Sequence, residues 1–160
     1  MEVFMKLSTK GRYGLRAVLD LAVHADEEAV ALSHIAERQG ISINYLEQLI
    51  AKLKKAGIVT AIRGAQGGYR LAAPAEEISV GAILRALEGD LSPVDCSINS
   101  SEGNCSNSDS CVTKYVWKRI SDSINDAVDG IKLSELVLES KKVQSGTGTS
   151  DIRTKQTCGK

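Results

Sequence analysis

Along the first third of the chain, apolar residues recur at the three-and-four spacing of an α-helix, and glycines or short polar runs interrupt them. Ser8 and Thr9 precede a stripe of Leu15, Val18, Leu19, Ala22 and Val23, which predicts a first helix. After a loop at Asp26-Glu27-Glu28, Leu32, Ile35 and Ala36 predict a short helix that stops at Gly40. Ser42 is placed to cap a third helix with an inner face of Leu46, Leu49, Ile50 and Leu53. Lys54 and Lys55 suit the negative end of its dipole, and Gly57 suits its left-handed close. Two short helices joined by a tight glycine-containing turn make a helix-turn-helix.

The pattern then changes. Ile58 to Arg63 is a β-branched run, Gly64 to Gly68 a glycine-rich loop, and Tyr69 to Leu71 a second short run. Strand, glycine loop, strand predicts a hairpin, and a hairpin directly behind a helix-turn-helix is a wing. Pro74 and its acidic neighbours lead into a helix from Val80 to Leu87 that Gly89 ends. Residues 90–111 form a polar loop. From Val112 a longer amphipathic helix carries Val112, Tyr115, Val116, Ile120, Ser123, Ile124, Ala127 and Val128 on one stripe. Gly130 breaks it, and Leu133, Leu136 and Val137 predict a final short helix. From Ser145 no core-forming pattern remains, which predicts a disordered tail.

Composition sharpens this picture only where it is uneven. Twenty basic and twenty acidic residues cancel over the 160-residue chain. Locally they do not: residues 45–71 hold five Lys/Arg against one acidic residue, while residues 76–110 hold one against seven. A basic patch confined to one element is the electrostatic footprint of a DNA reader. On the third helix, Ser42, Asn44, Tyr45, Glu47, Gln48 and Lys52 lie opposite the core stripe. Gln48 suits a paired contact to adenine, Glu47 an acceptor for cytosine, and Ser42, Tyr45 and Lys52 phosphates. Phosphates repel a carboxylate, so Glu47 rejects sites that offer no cytosine donor. Arg63 and Gly64 of the wing suit close approach to a phosphate or a narrow minor groove.

Cys96, Cys105 and Cys111 fall within a stretch that offers almost nothing apolar to pack against. Buried cysteine normally serves as a small hydrophobe, so chemistry rather than packing explains three thiols here. Their C-x8-C-x5-C spacing lacks the tight knuckles of structural zinc. It leaves an iron–sulfur cluster, a looser zinc site and a redox-active thiol set as candidates. Cys158, His24 and His34 stand apart and read as ordinary residues. No nucleophile–base pair, phosphate loop or carboxylate pair marks an enzyme. No apolar run approaches the roughly 20 residues of a membrane span, and the start lacks a secretory pattern. The expectation is a cytoplasmic, non-enzymatic DNA-binding protein.

Several stretches together resemble the IscR-type family of iron–sulfur-cluster transcription regulators. They are Met5-Lys-Leu-Ser-Thr-Lys-Gly-Arg-Tyr13, Tyr45-Leu-Glu-Gln-Leu49, Arg63-Gly-Ala-Gln-Gly-Gly-Tyr69, Leu87-Glu-Gly89 and the three cysteines. The resemblance runs from about Met5 to Leu138. It implies a mainly α fold: a winged helix-turn-helix with a two-stranded wing and a long C-terminal dimerisation helix that crosses a partner copy. The corresponding divisions are a DNA-binding domain at 5–75, a linking helix and cysteine loop at 76–111, dimerisation helices at 112–142 and a tail at 143–160. Implied too are a homodimer on a pseudo-palindromic double-stranded operator and a cluster on Cys96, Cys105 and Cys111. A 2Fe-2S cluster is favoured over 4Fe-4S, and it is easily lost on purification. The residue matching Glu47 helps the family discriminate between operator classes, and the one matching Arg63 enters the minor groove.

The chain departs from its relatives in two places. Eight residues separate the first two cysteines where five are common, and Lys114 stands where a histidine ligand follows the third cysteine. Arg12 stands where some nitric-oxide-sensing relatives recruit an acidic residue. That leaves Asp95, Glu102, Asp109 or an exogenous thiol as the fourth ligand. The rival reading keeps the DNA head without a cluster: a thiol regulator of cysteine or sulfur metabolism, controlled by a protein partner or a disulfide.

Overall fold

The computed structural model describes residues 7–24, 28–94 and 110–146. Six helices and one hairpin follow in the order α1 (Thr9–His24), α2 (Leu32–Gln39), α3 (Ile43–Lys55), β1 (Val59–Ile62), β2 (Gly68–Leu71), α4 (Val80–Glu88), α5 (Thr113–Gly130) and α6 (Leu133–Gln144). This is the mainly helical winged fold that the sequence implies. Cys96, Cys105, Cys158 and the tail beyond residue 146 lie outside the described residues.

Local signals account for the boundaries of the helix-turn-helix. Gly40 ends α2 in the left-handed region at φ 62°, where glycine carries no Cβ penalty. Ser42 then caps α3 by accepting from the Tyr45 amide. Leu46, Leu49, Ile50 and Leu53 are all buried, as their spacing predicts. At the far end, Gly57 donates to the Lys54 carbonyl and Ile58 to that of Leu53, which turns the chain into β1.

The wing pairs antiparallel, with Val59 opposite Leu71 and Ile62 opposite Gly68. Its base also carries a bridge invisible in the sequence pattern: Val30 and Tyr69 exchange two backbone bonds of 2.8 and 2.9 Å. Gly68 permits this approach, because a Cβ there would meet the Val30 carbonyl oxygen at 2.5 Å.

α1 differs from its expected face. Its fully buried residues include Gly11, Gly14, Ala17, Val18 and Leu21, while Leu15, Leu19, Ala22 and Val23 are only half-buried. The helix is wrapped by α2, α3, α4, α6 and β2, so a wider arc is covered than a one-sided stripe predicts. Small residues set its closest approach: a Cβ on Gly14 would lie 2.2 Å from Leu87 Cδ1.

One core joins α1 to α4 with Leu133 of α6. Leu133 donates its amide to the Ile78 carbonyl, and Val80 donates to that of Ile131, so the α5–α6 junction is stitched to the start of α4. Arg85 of α4 pairs with Asp129 and donates to Asn125 Oδ1 at 2.7 Å, which fixes α5 alongside. A buried carboxylate ties the first two helices: Asp20, whose side chain is 2% exposed, accepts from Nε and Nη2 of Arg38 and from Gln39 Nε2 at 2.7 Å. These bonds hold the Arg38 guanidinium protonated more firmly than usual.

Candidate nucleic-acid interface and thiol site

α3 presents two faces with different chemistry. Asn44, Glu47 and Gln48 are exposed, and among the described residues their side chains make no hydrogen bond. They stand on the outer surface, free to meet an external partner. Ser42 is exposed but already engaged as the cap. Ile43, missed by the sequence reading, adds a 43% exposed aliphatic residue to the first turn; its only sequence signal is its place between two polar neighbours.

Tyr45 and Lys52 are placed differently from a simple phosphate-contacting pair. The Tyr45 hydroxyl donates to Thr9 Oγ1 at 3.2 Å, and its ring meets Tyr13 edge-on with centroids 6.2 Å apart. Lys52 donates its ammonium to the Leu87 carbonyl at 3.3 Å. Both lie on the flank of α3 that faces α1 and α4. Their first structural task is therefore to hold α3 in place, and a phosphate would have to compete with or extend these bonds.

The wing tip brings Arg63 and Gly64 to the surface. Gly64 adopts φ 129°, a region closed to side chains, and its carbonyl accepts from Gly67 to close the loop. Arg63 makes no ion pair among the described residues. Two further exposed cations, Lys10 and Arg12, lie in the first turn of α1 beside the Tyr45–Thr9 bond. Spacing along the sequence gives no sign of this placement, because their proximity to α3 arises from packing.

Of the three clustered cysteines, Cys111 alone falls among the described residues. It is exposed and free, just ahead of α5. The Thr113 hydroxyl, 3.0 Å from its sulfur, and then the Lys114 amide stabilise the thiolate and hold this thiol below its ordinary pKa. A soft thiolate is the form of cysteine that ligates the iron of a cluster, so the donor chemistry of Cys111 fits one. Among the described residues no three His, Cys, Asp or Glu side chains gather into a metal site.

α5 carries the remaining unusual surface. Val112 is 85% exposed and Tyr115 68%, with Val116, Trp117 and Ile120 also exposed. Tyr115, Val116, Ile120, Ile124 and Ala127 line an open groove of about 620 Å³ along the helix. Contiguous exposed apolar surface of this kind marks an interaction site.

Residues 7–139 match the family described as Rrf2, iron-dependent transcriptional regulator. The HTH-type transcriptional regulator IscR of Aliivibrio salmonicida is 44% identical over 140 residues, covering 88% of this chain and 82% of that protein. Its counterpart in Pectobacterium atrosepticum is 41% identical over 153 residues, covering 96% and 91%. Among solved structures, T. potens IscR aligns with a TM-score of 0.69 at 45% identity, over 87% of this chain and 90% of its own. CymR (YrzC), the global cysteine regulator of B. subtilis, aligns with a TM-score of 0.66 at 38% identity, over 82% and 95%.

Proposed function

The chain belongs to the Rrf2 family of iron-dependent transcriptional regulators, and from that premise we propose a dimeric DNA-binding regulator governed by an iron–sulfur cluster on Cys96, Cys105 and Cys111. What supports the reading is the match of residues 7–139 to an iron-dependent regulator family, together with Cys111 as an exposed free thiol just ahead of the helix that packs on α4. When bound, the cluster supplies iron whose ligation responds to oxygen, nitric oxide or iron supply. A 2Fe-2S cluster is favoured over 4Fe-4S. The rest of the function belongs to the chain's own side chains.

Asn44, Glu47 and Gln48 read base edges in the major groove, with Gln48 paired to adenine and Glu47 accepting from cytosine. Ser42, Tyr45 and Lys52 lie along the phosphate backbone, and Arg63 with Gly64 enters the adjacent minor groove. The open stripe of α5 packs against the same stripe of a second copy, since a two-fold interface must be self-complementary. That symmetry sets a pseudo-palindromic operator with half-sites about one helical turn, or a multiple of it, apart. No helix among the described residues is long and apolar enough to cross a membrane. The place of action is the cytoplasm, where thiols stay reduced.

Anaerobic purification tests the reading. The expected protein is coloured, carries iron and sulfide in equal amounts, and loses both along with its iron-dependent DNA binding in Cys96→Ser. A colourless protein without iron, whose DNA binding responds to thiol oxidation, favours the cluster-free reading that the similarity to CymR keeps open.

A further inference from the structure

The last two residues of α4 hold more of the DNA-reading head than their sequence announces. Glu88 Oε1 accepts from the Ser8 hydroxyl at 2.6 Å and from the Gly11 amide at 2.8 Å, which closes the first turn of α1. Leu87 fills the space that Gly14 leaves open, and a Cβ on Gly11 would lie 2.7 Å from Glu88 Oε1. The carbonyl of Leu87 accepts from Lys52 of α3. The same first turn of α1 holds α3 through Thr9 and Tyr45. The recognition helix is thus fastened to the end of α4 by two routes, one direct through Lys52 and one through α1 and Tyr45.

The chain leaves this point at Gly89 and runs on toward the cysteines. Its first residues are tied down as well, because Ser92 Oγ lies 2.9 Å from Ser121 Oγ of α5, which Arg85 holds against α4. We propose that Leu87–Glu88 is the joint through which the cysteine segment sets the pose of α3, with Glu88 as its positioning residue. This rests on the reading above that the cysteines hold a cluster. Any change in how the chain departs from Gly89 bears first on Glu88, whose Oε1 is held by two donors, one in α1 and one in the residue before it. Burial opposes its charge, yet the bonds from Ser8 and Gly11 outweigh that and keep the carboxylate ionised to lower pH than usual. Coupling between sites travels through such packed and hydrogen-bonded contacts, typically about 5- to 150-fold in affinity.

The test uses the full chain, anaerobically purified, with its iron and after its removal. The probe is the duplex that wild type retains most tightly from a random-sequence library. Wild type is expected to show an affinity ratio between the two states of at least about fivefold. Glu88→Ala should keep its iron and sulfide while that ratio falls at least about twofold toward unity, with the direct bond from Lys52 to the Leu87 carbonyl left in place. Ser8→Ala, which removes one donor and spares the Gly11 bond, should fall between. Amide exchange in the first turns of α1 and α3 should respond to iron in wild type and respond less in Glu88→Ala. A Glu88→Ala protein that folds, loads iron and keeps both the ratio and the exchange response overturns the proposal. If that variant fails to fold, a Ser8→Ala protein with the full wild-type ratio does so instead. Wild type that carries no iron, or binds DNA alike in both states, overturns the underlying reading before any variant is compared.

Discussion

The head and α5 draw on the same aliphatic residues and use them in opposite ways. In the head, Val18, Leu21, Ile35, Leu46, Leu53, Ile83 and Leu133 are buried against one another. In α5 the buried residue is Ser121, while Tyr115, Val116, Trp117 and Ile120 are exposed and Ile124 and Val128 half-buried. Hydrophobic patterning alone makes the two look alike, since both show a stripe at helical period. The difference lies in what the rest of the chain supplies: α1 is wrapped by five elements, whereas α5 has α4 on one side and open surface on the other. A stripe predicts burial, but only packing shows whether the covering surface comes from the same chain. The 112–142 segment is not uniform in this respect, because Leu133 of α6 belongs to the head's core.

Three substitutions would break or sharpen that contrast. The largest effect is expected in the head. Leu46→Ala removes a fully buried side chain of α3 and should lower unfolding stability by about 2–5 kcal/mol, read by denaturant titration. An equal loss from a truncation on the α5 stripe in isolated monomer would erase the distinction. Ile120→Asp on α5 should act on assembly instead. Sedimentation should show monomer in place of dimer, while monomer stability changes by about 0.5 kcal/mol or less. A dimer that survives this charge would remove the stripe from the interface. The smallest effect is a titration within the head. Glu88 has a folded pKa below its reference of 4.5, so its contribution is fully present above that pH and is lost on acidification. Glu88→Gln should therefore melt about 2–4 °C below wild type at neutral pH, for roughly 1 kcal/mol. That gap should close as the pH falls below 4.5. A gap that persists in acid would place the effect in packing rather than charge.

What could be read from the sequence follows the range of the interactions involved. The α3 core face, its Ser42 cap and its Gly57 close depend on neighbours within a few positions, and all stand as the spacing predicts. The wing and its glycine loop were equally legible. α1 was not fully so, because Gly11, Gly14 and Ala17 carry little hydrophobic signal yet mark its tightest packing. Asp20 sits mid-helix as an acidic residue would on any surface, and only the fold brings Arg38 and Gln39 onto it. Lys52 illustrates the same limit at the candidate site: basic spacing pointed to phosphate, while a residue thirty-five positions away supplies its acceptor. Cys96 and Cys105 fall outside the described residues, so sequence and family carry that part of the site.

The Val30–Tyr69 bridge bears on the kinetics of encounter. Because the hairpin's base is already secured to the body, the wing docking proposed above leaves little freedom of motion for a groove to take away. Ordering of flexible parts is a principal penalty in association. On that proposal, a pre-set hairpin leaves the rate of capture to diffusion and charge.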